Sequence, residues 1–218
     1  MEHELILSVF MIIGIDLILG GDNAIVIAMA CRNLPEKQRS KAIIFGTILA
    51  VFCRILLTIM AVYLLQIPFL KLAGGIFLLY IAFSFITGNE DDPSINSYQS
   101  LGKAIQTIVL ADLVMGFDNV IAIAGAANGH FELVLFGLVI SIPIIVWGSH
   151  IILLLMNRFP IIIYAGGGIL AYTAGKMIAH EKWTQVVFSN HPSLQLTIPY
   201  ATTIFILFSS LLYRTKYL

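Results

Sequence analysis

The chain has 218 residues, of which 59% are hydrophobic and 11% are charged. Because a soluble domain carries about 25% charged residues, this chain has too few of them to cover a water-facing surface. Its 12 basic and 12 acidic residues balance, so the net charge gives no indication of nucleic-acid binding. We therefore predict an all-α, polytopic membrane protein whose main partner is the lipid bilayer.

Seven apolar segments are long enough to cross a membrane as helices, which takes about 20 residues each. Most of them are separated by short polar stretches that contain proline, a residue typical of turns. The predicted limits are 5–30, 41–65, 68–87, 101–126, 131–156, 160–180 and 197–213.

The first segment contains a polar motif, DLILGGDNAIVIA, which runs from Asp16 to Ala28. It places Asp16, Asp22 and Asn23 in an otherwise apolar stretch. Asp16 lies 11 residues into the segment, a depth of roughly 16 Å at 1.5 Å per residue and so near the bilayer centre. Ionisable groups at that depth are costly and indicate a functional site.

The loop after the first segment is basic, with Arg32, Lys37, Arg39 and Lys41. An excess of Lys and Arg predicts a cytoplasmic loop, which places the amino terminus outside and, after seven crossings, the carboxy terminus inside.

The second segment carries Arg54, which lies 13 residues from its start and too deep to reach either interface easily. We expect Arg54 to pair with a carboxylate of the site and to offset part of its negative charge. The alternative is an Arg near the end of a shorter span or in a water-filled vestibule.

The fourth segment repeats the polar motif as DLVMGFDNVIAIA, which starts at Asp112, 96 residues after Asp16, and includes Asp118 and Asn119. The two copies share eight of thirteen residues, including every polar one. The fifth segment contains His150, which is either a proton relay, since imidazole titrates near neutral pH, or a packing residue.

The repeat extends beyond the motif, because Phe45-Gly46 corresponds to Phe136-Gly137 and Ala73-Gly74-Gly75 to Ala165-Gly166-Gly167. A repeated unit of three segments enters the membrane from opposite sides in its two copies. The sequence thus predicts a single transmembrane domain over 1–218, made of two inverted three-helix repeats at about 5–87 and 101–180, with a seventh helix at about 197–213.

A site shared by the two motifs requires their aspartates to converge. On continuous helices Asp22 and Asp118 point away from the preceding aspartates. Glycine tolerates unwinding, and broken helices occur at membrane depth where they line a cavity. We therefore predict helix interruptions at Gly20, Gly21 and Gly116.

Oxygen ligands dominate this predicted site, and carboxylate and amide oxygens suit hard divalent cations such as Ca²⁺, Mg²⁺ or Mn²⁺. Without a cation, several of the clustered carboxylates would take up protons, so metal entry would release them. Exchange of metal for protons follows as a hypothesis. The alternative is that these polar side chains only hold helices together. The predicted ligands are Asp16, Asp22, Asn23, Asp112, Asp118 and Asn119.

The paired GGDNA and GFDNV motifs resemble those of the TerC family of integral membrane proteins, over nearly the whole chain. This resemblance implies seven transmembrane helices, a relationship to the LysE-type exporters of amino acids and cations, a place in the bacterial plasma membrane and a role in manganese export. The chain is shorter than the tellurium-resistance members of the family, so a tellurite phenotype is not carried over.

We expect a secondary transporter without a cofactor and not an enzyme. One alternative is an exporter of basic amino acids, whose cationic group would face the carboxylates. Another is an intramembrane aspartyl protease, although such enzymes need one pair of aspartates and not two related pairs. A homo-oligomer, or a role in delivering metal to secreted enzymes, also stays open.

Overall fold

The structure is a computed structural model that describes residues 14, 21–64, 67–88, 97–126, 131–188 and 192–217. Throughout these residues the secondary structure is helical, without strands. The helices are α1 (Gly21–Cys31), α2 (Glu36–Leu64), α3 (Leu70–Thr87), α4 (Ser97–Ala126), α5 (Phe131–Arg158), α6 (Ile161–Ala179), α7 (Lys182–Val187) and α8 (Pro192–Tyr217).

Within the described residues, five helices are long and apolar enough to cross a membrane. They correspond to five of the seven predicted segments. The fourth predicted segment, 101–126, lies inside the 30-residue helix α4, whereas most of the first, 5–30, lies outside the described residues. The spans are Glu36–Met60, Leu70–Thr87, Leu135–Arg158, Ile161–Ala179 and Gln195–Tyr213.

Apolar side chains cover the outside of these helices, as expected for a protein surrounded by lipid. Phe52 on α2 is 56% exposed and Trp147 on α5 is 70% exposed. In the apolar span of α8, only 17% is buried. Such surfaces would aggregate in water, so the chain is an integral, multi-pass membrane protein.

Several helix boundaries differ from their predictions by a few residues, and the start of α2 is the one that changes the first loop. Helix α2 begins at Glu36 and not near residue 41, so Lys37, Arg39 and Lys41 belong to its first turns. The Pro35 carbonyl accepts the backbone N–H of Arg39, and the Arg39 side chain donates to the carbonyl oxygen of Leu34 at 2.6 Å. These hydrogen bonds extend the helix into the basic stretch.

The chain divides into two compact units, which do not coincide with the sequence repeats. The first unit comprises Met1–Tyr63 and Ser94–Leu154, and the second comprises Leu64–Pro93 and Leu155–Leu218. Each repeat therefore contributes its first two segments to the first unit and its third segment to the second. The inverted arrangement and the single domain stay predictions.

In the first unit, the two helices that carry the polar motifs, α1 and α4, contact each other. Glycines bring the other helices close. A Cβ at Gly46 of α2 would lie 2.7 Å from the Ile108 side chain of α4, and one at Gly148 of α5 would lie 4.0 Å from Ala24 of α1. At these glycines α2 therefore lies close to α4, and α5 lies close to α1.

In the second unit, α6 packs against both α3 and α8, and α3 also contacts α8. A Cβ at Gly75 of α3 would lie 2.9 Å from the carbonyl oxygen of Ala174 on α6. The Thr202 hydroxyl of α8 donates to the Ala171 carbonyl of α6 at 3.0 Å. Small residues thus permit close helix crossings, as is common in membrane proteins.

The start of α3 is capped by a residue that is distant in sequence. Phe69, which precedes α3, is in the left-handed conformation with φ of 61° and provides no side-chain cap. Instead, the buried Glu181 carboxylate accepts the backbone N–H groups of Lys71 at 3.1 Å, Leu72 at 3.3 Å and Lys182 at 3.0 Å. One carboxylate therefore satisfies donors at the starts of both α3 and α7.

Candidate metal-binding site

A small cavity lies inside the first unit, where α1, α2, α4 and α5 each contribute to its walls. Its volume is about 10 Å³, roughly enough for one water molecule. Four of the lining residues are polar and six are apolar. The lining residues are Asn23, Val26, Ile27, Thr47, Ala50, Val51, Arg54, Ile108, Asp112 and Ile145.

The spacing of these residues follows from helix geometry. On α2 the lining positions are 47, 50, 51 and 54, which is one face of a 3.6-residue helix over two turns. On α1 they are 23, 26 and 27, and on α4 they are 108 and 112. The helices α1, α2 and α4 therefore each present one face to the cavity, and each polar residue shares that face with apolar packing residues.

Arg54 and Asp112 form a buried ion pair in the wall of this cavity, in which the guanidinium Nη2 donates to the carboxylate Oδ1. Their side chains are 1% and 9% exposed. Arg54 thus has a carboxylate partner, Asp112; that this carboxylate belongs to a metal site stays a prediction. Buried charges are stable only when paired, because removal from water costs several kcal/mol per ion.

Asn23 and Thr47 are also buried, at 3% and 2% exposure. Neither the carboxamide of Asn23 nor the hydroxyl of Thr47 has a hydrogen-bond partner among the described residues. Most buried polar groups are hydrogen-bonded, and each exception needs an explanation. Two such exceptions in one cavity indicate room for a polar guest.

Thr47 is a site residue that the sequence analysis missed. Threonines within helices commonly donate to the carbonyl four residues earlier, as Thr58 does to Arg54 at 2.8 Å and Thr107 does to Lys103 at 2.9 Å. Thr47 lacks this bond and lines the cavity. Its position seven residues before Arg54 was the available signal, since positions two turns apart share a face.

The remaining predicted ligands are only partly described. Asp22 is partly buried on α1, next to Asn23, and does not line the cavity. Asp16 lies outside the described residues, as do the side chains of Asp118 and Asn119 on α4. Their roles as ligands stay predictions.

His150 is partly buried on α5 and is likewise absent from the cavity wall. Its role as a proton relay stays a prediction.

The predicted helix interruption at Gly116 is not observed, because α4 is continuous from Ser97 to Ala126. A Cβ at Gly116 would lie 3.6 Å from Leu57 Cδ1 and 4.0 Å from Arg54 Nε. Gly116 therefore lies next to Arg54 and Leu57 within a regular helix. A helix interior tolerates one glycine at a cost of about 1 kcal/mol. A continuous helix leaves position 118 about 120° around the axis from position 112.

At the first motif, the described helix α1 begins at Gly21, and Gly20 lies outside the described residues. The interruption predicted there stays a prediction.

Among the described side chains, no group of three or more His, Cys, Asp or Glu is placed to hold a metal ion. Two of the four predicted carboxylates, Asp16 and Asp118, fall outside that set. The described part of the site offers one carboxylate, one carboxamide and one hydroxyl, which are the oxygen ligands that hard cations prefer.

Comparison with known proteins identifies a family and a relative that match nearly the whole chain. Residues 1–217 match the integral membrane protein TerC family. The uncharacterized membrane protein YjbE of Bacillus subtilis is 52% identical over 214 residues, which cover 98% of each chain.

More distant relatives are similar to part of their own length. YkoY of Bacillus subtilis, an uncharacterized membrane protein, is 25% identical over 169 residues, which cover 68% of this chain and 52% of YkoY. The UPF0053 inner membrane protein YoaE of Escherichia coli K12 is 26% identical over 183 residues, covering 75% of this chain and 35% of YoaE. No solved structure matches.

Proposed function

This chain belongs to the TerC family of integral membrane proteins, and from that premise we propose that it is a secondary transporter that exports divalent metal cations, with Mn²⁺ as the favoured substrate. The proposed ligands include the residues of both motifs, and we add Thr47 because of its place in the cavity wall. They are Asp16, Asp22, Asn23, Thr47, Asp112, Asp118 and Asn119.

One observation carries this proposal: Asn23 of the first motif and Asp112 of the second line the same buried cavity. The two residues are 89 positions apart in the sequence and meet because α1 and α4 contact each other. A purely structural role for the motifs would not require their polar groups to share a cavity. Intramembrane ionisable residues that face a cavity mark ion pathways in other membrane proteins.

The size and chemistry of the cavity favour an ion over the larger alternatives. A volume of about 10 Å³ accepts one water-sized guest, whereas a basic amino acid has about ten heavy atoms. Asn23, Thr47 and Asp112 supply oxygen atoms, which suit Mn²⁺, Ca²⁺ or Mg²⁺. An aspartyl protease is not favoured, because the described cavity contains one aspartate and that chemistry needs two.

Cellular metal content provides the direct test. Cells that produce the wild-type chain should contain less manganese than cells without it, while their calcium, magnesium and iron contents stay unchanged. Asp22→Asn, Asp112→Asn and Asp118→Asn should each abolish that decrease. Glu132→Gln is a matched control, because Glu132 is an exposed acid at the start of α5. An unchanged manganese content would contradict the proposal, and a change in lysine or arginine export would favour the amino-acid alternative.

Coupling to protons forms a second part of the proposal. Several clustered carboxylates in a dry site would be protonated without metal, and the metal would displace those protons. Vesicles that contain the protein and an internal pH dye should report proton movement during Mn²⁺ flux. Metal flux without proton movement would contradict this coupling.

We also propose the topology that the basic residues predict, in the bacterial inner membrane with the amino terminus outside and the carboxy terminus in the cytoplasm. The two inverted repeats would then place the two motifs at the membrane midplane. Reporter fusions after residue 34 and after the last residue should both report a cytoplasmic location. A periplasmic signal at either position would contradict this topology.

A further inference from the structure

Arg54 is the largest fully buried side chain among the described residues, at 1% exposure. Its guanidinium contacts the carboxylate of Asp112, one of the proposed metal ligands. The residue is thus placed where its positive charge competes with any cation that uses the same carboxylate.

The neighbouring helix α4 lies close to this side chain. A Cβ at Gly116, one turn after Asp112, would make an ordinary contact with Arg54 Nε at 4.0 Å. The guanidinium therefore lies against the backbone of α4 and reaches the carboxylate from the side of α2.

Oxygen atoms beside a buried ion pair are normally engaged in hydrogen bonds, because an unpaired polar group is costly in surroundings of low dielectric constant. Here the carboxamide of Asn23 and the hydroxyl of Thr47 lie in the same cavity and have no hydrogen-bond partner among the described residues. Their oxygens are available to a cation, whereas the guanidinium has only donors and needs acceptors.

We propose that the guanidinium of Arg54 is a tethered cation that holds Asp112 when no metal is bound, so that Arg54 and the transported metal bind this carboxylate in turn. This inference rests on the proposed function. When a divalent cation enters, Asn23, Thr47 and Asp112 supply its oxygen ligands, and Arg54 withdraws because two positive charges repel each other at one carboxylate. When the metal leaves, Arg54 returns to Asp112, and its positive charge again offsets that of the carboxylate.

This exchange explains why one arginine is enough for the two repeats. Ile145 occupies the position of Arg54 in the second repeat and lines the same cavity. The competition also selects for charge, because a divalent ion displaces a guanidinium more readily than Na⁺ or K⁺ does. The tethered cation would therefore contribute to selectivity and speed metal release.

Mn²⁺ binding to the full-length protein in lipid nanodiscs tests the proposal. Arg54→Met keeps an apolar side chain of similar length and removes the competitor, so we expect it to bind Mn²⁺ at least tenfold more tightly than the wild type and to transport it more slowly. The double variant Arg54→Met/Asp112→Asn removes both charges and should lose the added affinity. Arg158→Met is the matched control, because Arg158 is exposed at the end of α5, and it should bind Mn²⁺ as the wild type does.

The outcomes separate this inference from the proposed function. If the wild type lowers cellular manganese and Arg54→Met binds Mn²⁺ no more tightly, the tethered cation is refuted and the transporter stands. If the wild type neither binds nor exports Mn²⁺, the proposed function fails. Should Arg54→Met not fold, Arg54→Lys provides the second test, since an ammonium lacks the planar fork of a guanidinium and holds a carboxylate less well. Mn²⁺ should then bind severalfold more tightly, and unchanged binding would refute the inference.

Discussion

Replacing Thr47 with valine should stabilise this protein and impair its transport. Thr47 is 2% exposed, and its hydroxyl has no hydrogen-bond partner among the described residues. Burial of a hydroxyl without a partner costs about 1–3 kcal/mol, and valine has nearly the same shape without this cost. A residue that is kept at the expense of stability indicates a functional requirement.

The expected stabilisation is taken from the lower end of that range, because one water molecule can occupy the cavity and form a hydrogen bond with the Thr47 hydroxyl. We expect Thr47→Val to raise the free energy of unfolding by about 1 kcal/mol, which corresponds to a melting temperature about 2–4 °C higher for a chain of this length. Loss of one oxygen ligand should weaken Mn²⁺ binding by about tenfold, or roughly 1.4 kcal/mol.

Thermal unfolding in detergent and Mn²⁺ uptake into inverted vesicles measure the two effects. Thr47→Ser keeps the hydroxyl and should retain transport. Thr202→Val is the matched control, because the Thr202 hydroxyl donates to the Ala171 carbonyl at 3.0 Å, and its loss should lower stability by about 1 kcal/mol without altering Mn²⁺ affinity. A Thr47→Val protein that melts at a lower temperature and transports normally would refute this reasoning.

Three further predictions concern the fold. Glu181→Ala should lower the melting temperature, because three backbone N–H groups lose their acceptor, at a cost of about 2 kcal/mol. Glu181→Gln should cost less. Equal melting temperatures of the wild type and both variants would contradict the capping role. Gly75→Ala should destabilise the protein by about 1–3 kcal/mol through overlap with a backbone carbonyl. Gly116→Ala should be neutral or stabilising and retain transport, since its Cβ would make only ordinary contacts. Lost transport in a stable Gly116→Ala protein would contradict this expectation. Phe69→Gly should raise the melting temperature slightly, because φ of 61° costs a non-glycine residue about 1–2 kcal/mol, and a lower melting temperature would mean that the Phe69 ring contributes more through its contacts.

The sequence by itself determined the class of the protein and most of its helices. Apolar length and composition are local properties, so segments such as 160–180 could be compared directly with bilayer thickness, and the structure has a helix at Ile161–Ala179. The doubled motif also singled out Asn23 and Asp112, because polar residues are rare in such segments, and both line one cavity in the structure. Arg54 was recognised for the same reason, as a charge at a depth where it needs a partner.

Only the tertiary structure decided which residues meet. That Asp112 is the partner of Arg54 depends on how α2 and α4 pack, which no spacing along the chain specifies. The tertiary structure also added Thr47 to the candidate site. Threonine is common in membrane helices, and Thr47 is notable only because it lines the cavity and its hydroxyl has no hydrogen-bond partner among the described residues. The interruption predicted at Gly116 was wrong, because one glycine inside a helix costs only about 1 kcal/mol and does not by itself break it.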